Sequence, residues 1–478
     1  MSEIREKILS TVGLAIIAVF LFFVIVRSLF LGIFISVLLF GLAILLFREK
    51  ISLKSIIILL LFFSIVAPPI RTGFTPYIRP ELILIIVAWI LYLFNAIAKK
   101  EAIKIKWSSV HKWFFFFGGI ILFSIFFSWA WFGLKPIPRD FFEVAKLLEY
   151  FLIFALVFTI DFKERDFKRY YLFLLFIFSF SALLGIVQYF KFFPSFTRAT
   201  VNYYSPTHIE DWLNNKRISG TAGGPNDYGF LMTMASLFAL SGFLWTKEKR
   251  IKFLSLGFLL LFGFSLVLSL SRSSIVAFLG GAVFLIFYKY PKKVGARGKV
   301  RLLFLILPSL VILTIVVISF APPNFFVRVN SAFDLETDRS FQTRLTLWSE
   351  NLETWKTSPI FGWGPGKDEM TTIVDNEWLL LLRRYGVAGT LIFILFFLKL
   401  YFGSGRVQKK KNREEFENIF SLFSQTLIVA SAVYMIPSSF YHSLQLMPIL
   451  MVFLGLVYTD KGNLRRKIKE KDRPNLIT

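Results

Sequence analysis

The sequence predicts an all-α, polytopic integral membrane protein with about 12–14 transmembrane helices, and three observations carry that expectation. Of the 478 residues, 56% are hydrophobic and 60 are Phe, above the ~45–50% apolar content of soluble domains. The apolar residues gather into many separate runs near the ~20 residues that a ~30 Å hydrocarbon core requires. Lys and Arg fall between those runs, dense in one alternate set of connections and sparse in the other, as the positive-inside rule demands.

The runs lie at about 8–26, 28–47, 53–67, 80–98, 113–132, 142–160, 170–190, 226–245, 253–271, 273–288, 302–320, 379–401, 417–436 and 443–458. Two boundaries are thin, Arg27 between the first pair and Arg272 between 253–271 and 273–288. With the N-terminus placed in the cytoplasm, cytoplasmic segments hold 37 of the 55 basic residues and the opposite side 15; Lys146, Arg383 and Arg384 fall inside predicted helices. Dropping a mid-chain helix would put KKVGARGKVR on the wrong side, so the Arg272 boundary is read as real. The start MSEIREKIL carries acids among its bases and is followed by no small-residue cleavage site, which reads as a retained first helix.

This pattern predicts one transmembrane domain over 1–478 with both termini cytoplasmic and a basic cytoplasmic tail at 459–478. Two extracytoplasmic loops, 191–225 and 321–377, are large enough to build a site. In the second, Leu345, Leu347 or Trp348, Leu352 and Trp355 recur near helical spacing, predicting an amphipathic helix on the membrane face. The formal charge of +25 is explained by topology, not by a nucleic-acid surface on a soluble fold. Zero Cys excludes disulfides, thiolate metal sites and Cys nucleophiles, and His111, His208 and His442 lack metal-ligand spacing. Neither a metal nor a cofactor is expected.

The chemistry is expected on the extracytoplasmic side, where Arg71, Arg79, Arg217, Arg272 and Arg344 run against the charge rule. Arg272 interrupts an apolar stretch at a cost of ~2.5–3.5 kcal/mol near a helix centre, so by default it faces a partner or cavity. A guanidinium fork matches phosphate oxygens; a snorkelling arginine is the structural alternative. Arg217 opens RISGTAGGPNDYG, whose glycines let backbone approach a ligand, with Asn226 leading into a helix. A bare turn would use the same residues. Asp375 and Asn376 stand where loop gives way to helix, and a helix N-terminus favours the ionised carboxylate that a general base needs. An ordinary N-cap is the competing reading. Glu377 and His442, the latter in SSFYHSL, compete for the same chemical role. Lys146 with Glu143 and Glu149 looks like a buried charge set near mid-membrane.

Arg217 with GTAGGPNDYG, then SRSSIVAF, RLTLW, PIFGWGPG and DNEWLLLLRRYGVAGTL, in this order among this many helices, resembles the O-antigen ligase and Wzy-type polymerase superfamily. The resemblance runs from about Arg217 to Leu391. It implies a GT-C-like helical glycosyltransferase of the bacterial inner membrane that takes a glycan from an undecaprenyl-diphosphate carrier and joins it to an acceptor glycan or lipid. It assigns Arg272 and Arg344 to the donor diphosphate, where Arg217 joins them as a candidate, and it makes Asp375 the candidate base. Arg71, Asn226, Asn376, Glu377 and His442 are further substrate-binding candidates. Ligases of the family usually carry His where Asp375 stands, which favours the polymerase branch; the alternative is a ligase that transfers to lipid A core or another acceptor. A flippase of lipid-linked oligosaccharide ranks third, because two large one-sided loops do not suit alternating access. Arginines would neutralise the leaving diphosphate without a metal. Membrane lipids and a chain-length regulator complete the expected partners; nucleic acid is not among them.

Overall fold

The computed structural model describes residues 53–68, 79–98, 106–215, 217–289, 339–367, 374–405 and 414–458. Every apolar run predicted within these residues is a helix; the runs at 8–26, 28–47 and 302–320 lie outside them, as do Arg71, residues 321–338 and the tail 459–478. Among the described residues there are fourteen α-helices and no strand. They are α1 (Leu53–Val66), α2 (Pro80–Ala98), α3 (Ser109–Phe132), α4 (Phe142–Thr159), α5 (Glu164–Phe190), α6 (Pro194–Tyr204) and α7 (Ile209–Asn215). Then follow α8 (Pro225–Trp245), α9 (Lys249–Leu268), α10 (Arg272–Val283), α11 (Arg339–Lys356), α12 (Glu377–Ser404), α13 (Glu415–Tyr434) and α14 (Leu446–Val457). Of these, α3, α5, α8, α9, α12 and α13 are long and apolar enough to cross a membrane.

Local chemistry sets the boundaries. Pro80, Pro194 and Pro225 each open a helix, where the missing N–H costs nothing and φ is already helical. Gly133, at φ 72°, closes α3 by returning its N–H to the Trp129 carbonyl, a left-handed cap. Helix α8 lies at the centre, with nearly all of its span buried, and its Phe238 ring packs among Phe420, Phe423 and Phe453.

Two helices are broken, and both breaks fall on motifs. The thin boundary at Arg272 is a true interruption: α9 stops at Leu268, Leu270 has φ 55°, and α10 starts at Arg272. Buried backbone freed by a break needs partners inside a membrane protein, and serines supply them. Ser269 Oγ accepts from the Ser271 N–H at 3.2 Å and donates to the Leu266 carbonyl at 2.6 Å. Ser274 Oγ donates to the Asn226 carbonyl at 3.2 Å. SLSRSS is thus a repaired gap.

The second break is inside α12, where Gly386 sits at φ 62°, ψ −168°, a region that only glycine occupies readily. The segment after α11 fills it. Trp363 and Gly364 donate to the Arg383 and Arg384 carbonyls, both at 2.8 Å, while Val387 and Ala388 donate to the Pro359 and Ile360 carbonyls at 2.8 and 3.1 Å. A Cβ on Gly386 would stand 2.1 Å from the Ile360 oxygen, and one on Gly362 2.5 Å from that of Arg384. The glycines of PIFGWGPG and RRYGVAG therefore answer each other.

The segments expected in the cytoplasm share one end of the bundle, where Lys54 pairs with Asp166 at 2.6 Å and Lys168 with Glu248 at 2.6 Å. The motif segments share the other end. There Gln445 donates to the Ile65 and Thr221 carbonyls, both at 3.3 Å, and Ser128 donates to the Trp363 carbonyl at 2.7 Å.

Candidate functional site

At the motif end, the loop before α8 and the start of α10 meet. Arg217 Nη2 donates to Asn226 Oδ1 at 3.0 Å, and Nη1 lies 3.8 Å from Asp211 Oδ2 on α7. Asn226 in turn holds Ser274 through its carbonyl. Two of the candidates, Arg217 and Asn226, are thus in contact, and Asp211, which the sequence did not single out, lies beside them. Arg272, the first residue of α10, is exposed, at a helix N-terminus where anions are favoured.

Arg344 and Asp375 face each other, Nε to Oδ2, at 3.6 Å, with side chains 27% and 47% exposed. The cap belongs to Asn376, whose Oδ1 accepts from the Leu379 N–H at 3.1 Å. Asp375 is therefore free of the capping duty that competed with a chemical one. The buried phenol of Tyr434, at the end of α13, has Asp227, Arg344 and Asp375 among its electrostatic neighbours. Ser438, four residues on, donates to Ser273 Oγ at 3.3 Å. Around this turn the pieces from both large loops and from the α9–α10 break converge; Tyr434 and Ser438 are members that sequence reasoning missed.

Behind this surface lies a buried ionic hub centred on Glu143, at the first turn of α4 and fully buried. Its carboxylate receives Lys146 at 2.8 Å, Lys367 at 2.7 Å, Arg384 at 3.2 Å and His442 Nε2 at 3.1 Å. The other imidazole nitrogen, Nδ1, is hydrogen-bonded to Glu377, which is also fully buried. Glu377 and His442 are thus a pair that reaches the surface through the imidazole. The charges on α4 and Arg384 within its helix were visible in the sequence; Lys367 and the pairing of all of them with Glu143 were not, since nothing in a linear pattern brings them together. Burial first, and then the neighbouring Tyr385 and Glu143, push the Tyr441 phenol well above its ordinary range, so this ring beside the hub stays neutral.

A second buried group lies deeper. Arg79 bonds the buried Glu81 and donates to the Ser64 carbonyl at 3.2 Å; Glu149 and Asp227 lie within its electrostatic range. Arg79, expected only as an outer arginine, is thus buried against Glu81, with carboxylates of α4 and α8 in electrostatic range.

The helical bundle, with six described helices long and apolar enough to cross a membrane, defines a multi-pass membrane protein. Residues 256–394 match the family model described as O-antigen ligase. Over those residues the chain is similar to that family, whose members are membrane glycosyltransferase-type ligases or polymerases and whose substrates are lipid-linked glycans. The match spans Arg272, Arg344, Asp375 and the α12 break; Arg217, Asn226 and His442 fall outside it. No curated protein matches the sequence.

Proposed function

We propose that the protein is an O-antigen or related polysaccharide polymerase of the bacterial inner membrane, joining undecaprenyl-diphosphate-linked repeat units on the extracytoplasmic face. The observation that carries it is Asp375, held beside Arg344 and outside the helix cap, at the position where the resembling ligases have His. In the reaction an acceptor sugar hydroxyl attacks the anomeric carbon of the donor glycan, its proton passes to the Asp375 carboxylate, and the bond from that carbon to the diphosphate oxygen breaks. The leaving undecaprenyl diphosphate departs on the opposite face, its charge met by Arg344 and Arg272, with Arg217 held by Asn226 as a further guanidinium. Preorganised cations of this kind stabilise developing charge without a metal. The side assignment is supported by 37 basic residues in one set of connections against 15 in the other.

The test is reconstitution of the full chain in liposomes with purified lipid-linked repeat unit. Longer polymer is expected, undiminished by EDTA. Transfer only to lipid A core would replace the polymerase by a ligase, and loss of activity in EDTA would bring in a metal.

A further inference from the structure

At the motif end, a cavity of about 260 Å³ lies between the α3–α4 turn and the segment that follows α11. It is smaller than the ~300–1,000 Å³ of sites that enclose drug-sized ligands, a scale that suits a sugar ring or two. Its apolar wall includes Ile125, Leu134 and Pro365, and its charged lining is Lys135, Asp140 and Lys367. The walls are knitted together: Asp140 accepts the Ile137 N–H and the Lys367 N–H, each at 3.0 Å. Both carboxylate oxygens are thus engaged by backbone, which fixes the shape of the cavity before any ligand arrives.

The charge around this cavity does not balance locally. Lys367 turns its ammonium onto Glu143, but that one carboxylate is also shared by Lys146, Arg384 and His442. The second carboxylate of the hub, Glu377, is engaged by His442. Among the residues that line the cavity, Lys135 and Lys367 stand against Asp140 alone, and Lys367 is the one of the two paired with Glu143. Glu149, six residues further along α4, is in electrostatic range of both Lys146 and Arg79 and does not line the cavity. Lys135 stands exposed at the cavity, where its positive charge attracts an anion.

The geometry points to this cavity as a binding subsite for an acidic sugar of the glycan substrate, its anionic group held by Lys135 and Lys367 and its ring against the apolar wall. The inference rests on the glycan-transfer reading above and names a feature of the glycan: a carboxylate or phosphate substituent on the unit seated here. Neutral sugars would give Lys135 no anion to hold, and so bind less well.

The experiment is a ligand-observed NMR titration of the full-length protein in nanodiscs with three probes: cellobiouronic acid, cellobiose, and cellobiose 6′-phosphate. Cellobiouronic acid is expected to bind about tenfold or more tighter than cellobiose, as a charge-assisted contact requires. Lys135→Gln, at an exposed position, should remove most of that preference and leave cellobiose binding unchanged; Leu134→Trp should fill the cavity and weaken all three. A phosphate preference that Lys135→Gln abolishes supports the subsite and identifies phosphate as the substituent. Equal affinity for acidic and neutral probes, no binding of any probe, or a preference that survives Lys135→Gln overturns it. Binding is read without turnover, so a failed titration and a failed transfer assay are separate results.

Discussion

Asp375 and Arg344 pair at 3.6 Å, so a donor diphosphate that took Arg344 would release the carboxylate to act as a base. On the proposed reading this makes the two side chains separable by experiment. Asp375→Asn leaves the Asn376 cap intact and should fold, yet transfer should fall roughly 10²–10⁴-fold, the usual contribution of a positioned base, with donor binding held or tightened. Arg344→Ala and Arg272→Ala should instead weaken donor binding and lower transfer by roughly 10²–10³-fold, as loss of a charge-stabilising donor does. Polymer yield and donor binding, measured separately in the same preparations, check both. Full activity in Asp375→Asn would shift the base to His442, whose imidazole joins Glu377 to the hub. The sequence shows that a polar pair stands at the head of α12; only the backbone decides that Asn376 caps and Asp375 does not.

At the scale of elements, the motifs GWGPG and RRYG are two halves of one joint. Glycine-rich segments are legible in sequence as turns, but that the turn of residues 359–364 supplies the hydrogen bonds missing at Gly386 is a tertiary fact with no local signature. The α9–α10 break was more legible, because Arg272 divides two apolar runs and serines flank it. Gly386→Ala forces a Cβ to within 2.1 Å of the Ile360 oxygen and a side chain into a region whose occupation alone costs of order 1–3 kcal/mol. It should lower the melting temperature clearly and open residues 359–366 to protease. Gly257→Ala is the control: its Cβ meets nothing within 4 Å on α9, so helix propensity alone predicts an unchanged or slightly raised melting temperature. Equal melting of the two variants would mean the joint is not a stabilising contact.

For the whole molecule, Glu143 joins α4 to α12, to the turn before α14 and to the segment after α11. Apolar periodicity gave the helices and charge asymmetry their grouping into two ends, but a partner such as Arg384, 241 residues away, cannot be read from a pattern of runs. Inside a membrane protein each buried charge needs a counter-charge, and breaking a buried pair costs about 3–5 kcal/mol because the partner is left uncompensated. Glu143→Gln removes the one carboxylate shared by Lys146, Lys367 and Arg384. It should therefore destabilise the protein by at least that amount, far more than a single exposed pair such as Lys106–Asp161 at the opposite end, worth roughly 0–1 kcal/mol. The electrostatic cause is separable from lost packing: adding Lys146→Met to Glu143→Gln removes a stranded cation and should recover part of the loss, a non-additivity that a thermodynamic cycle measures directly. Thermal melts of the four proteins in one detergent supply the cycle. A double variant no more stable than Glu143→Gln would show that Glu143 matters for its shape rather than its charge.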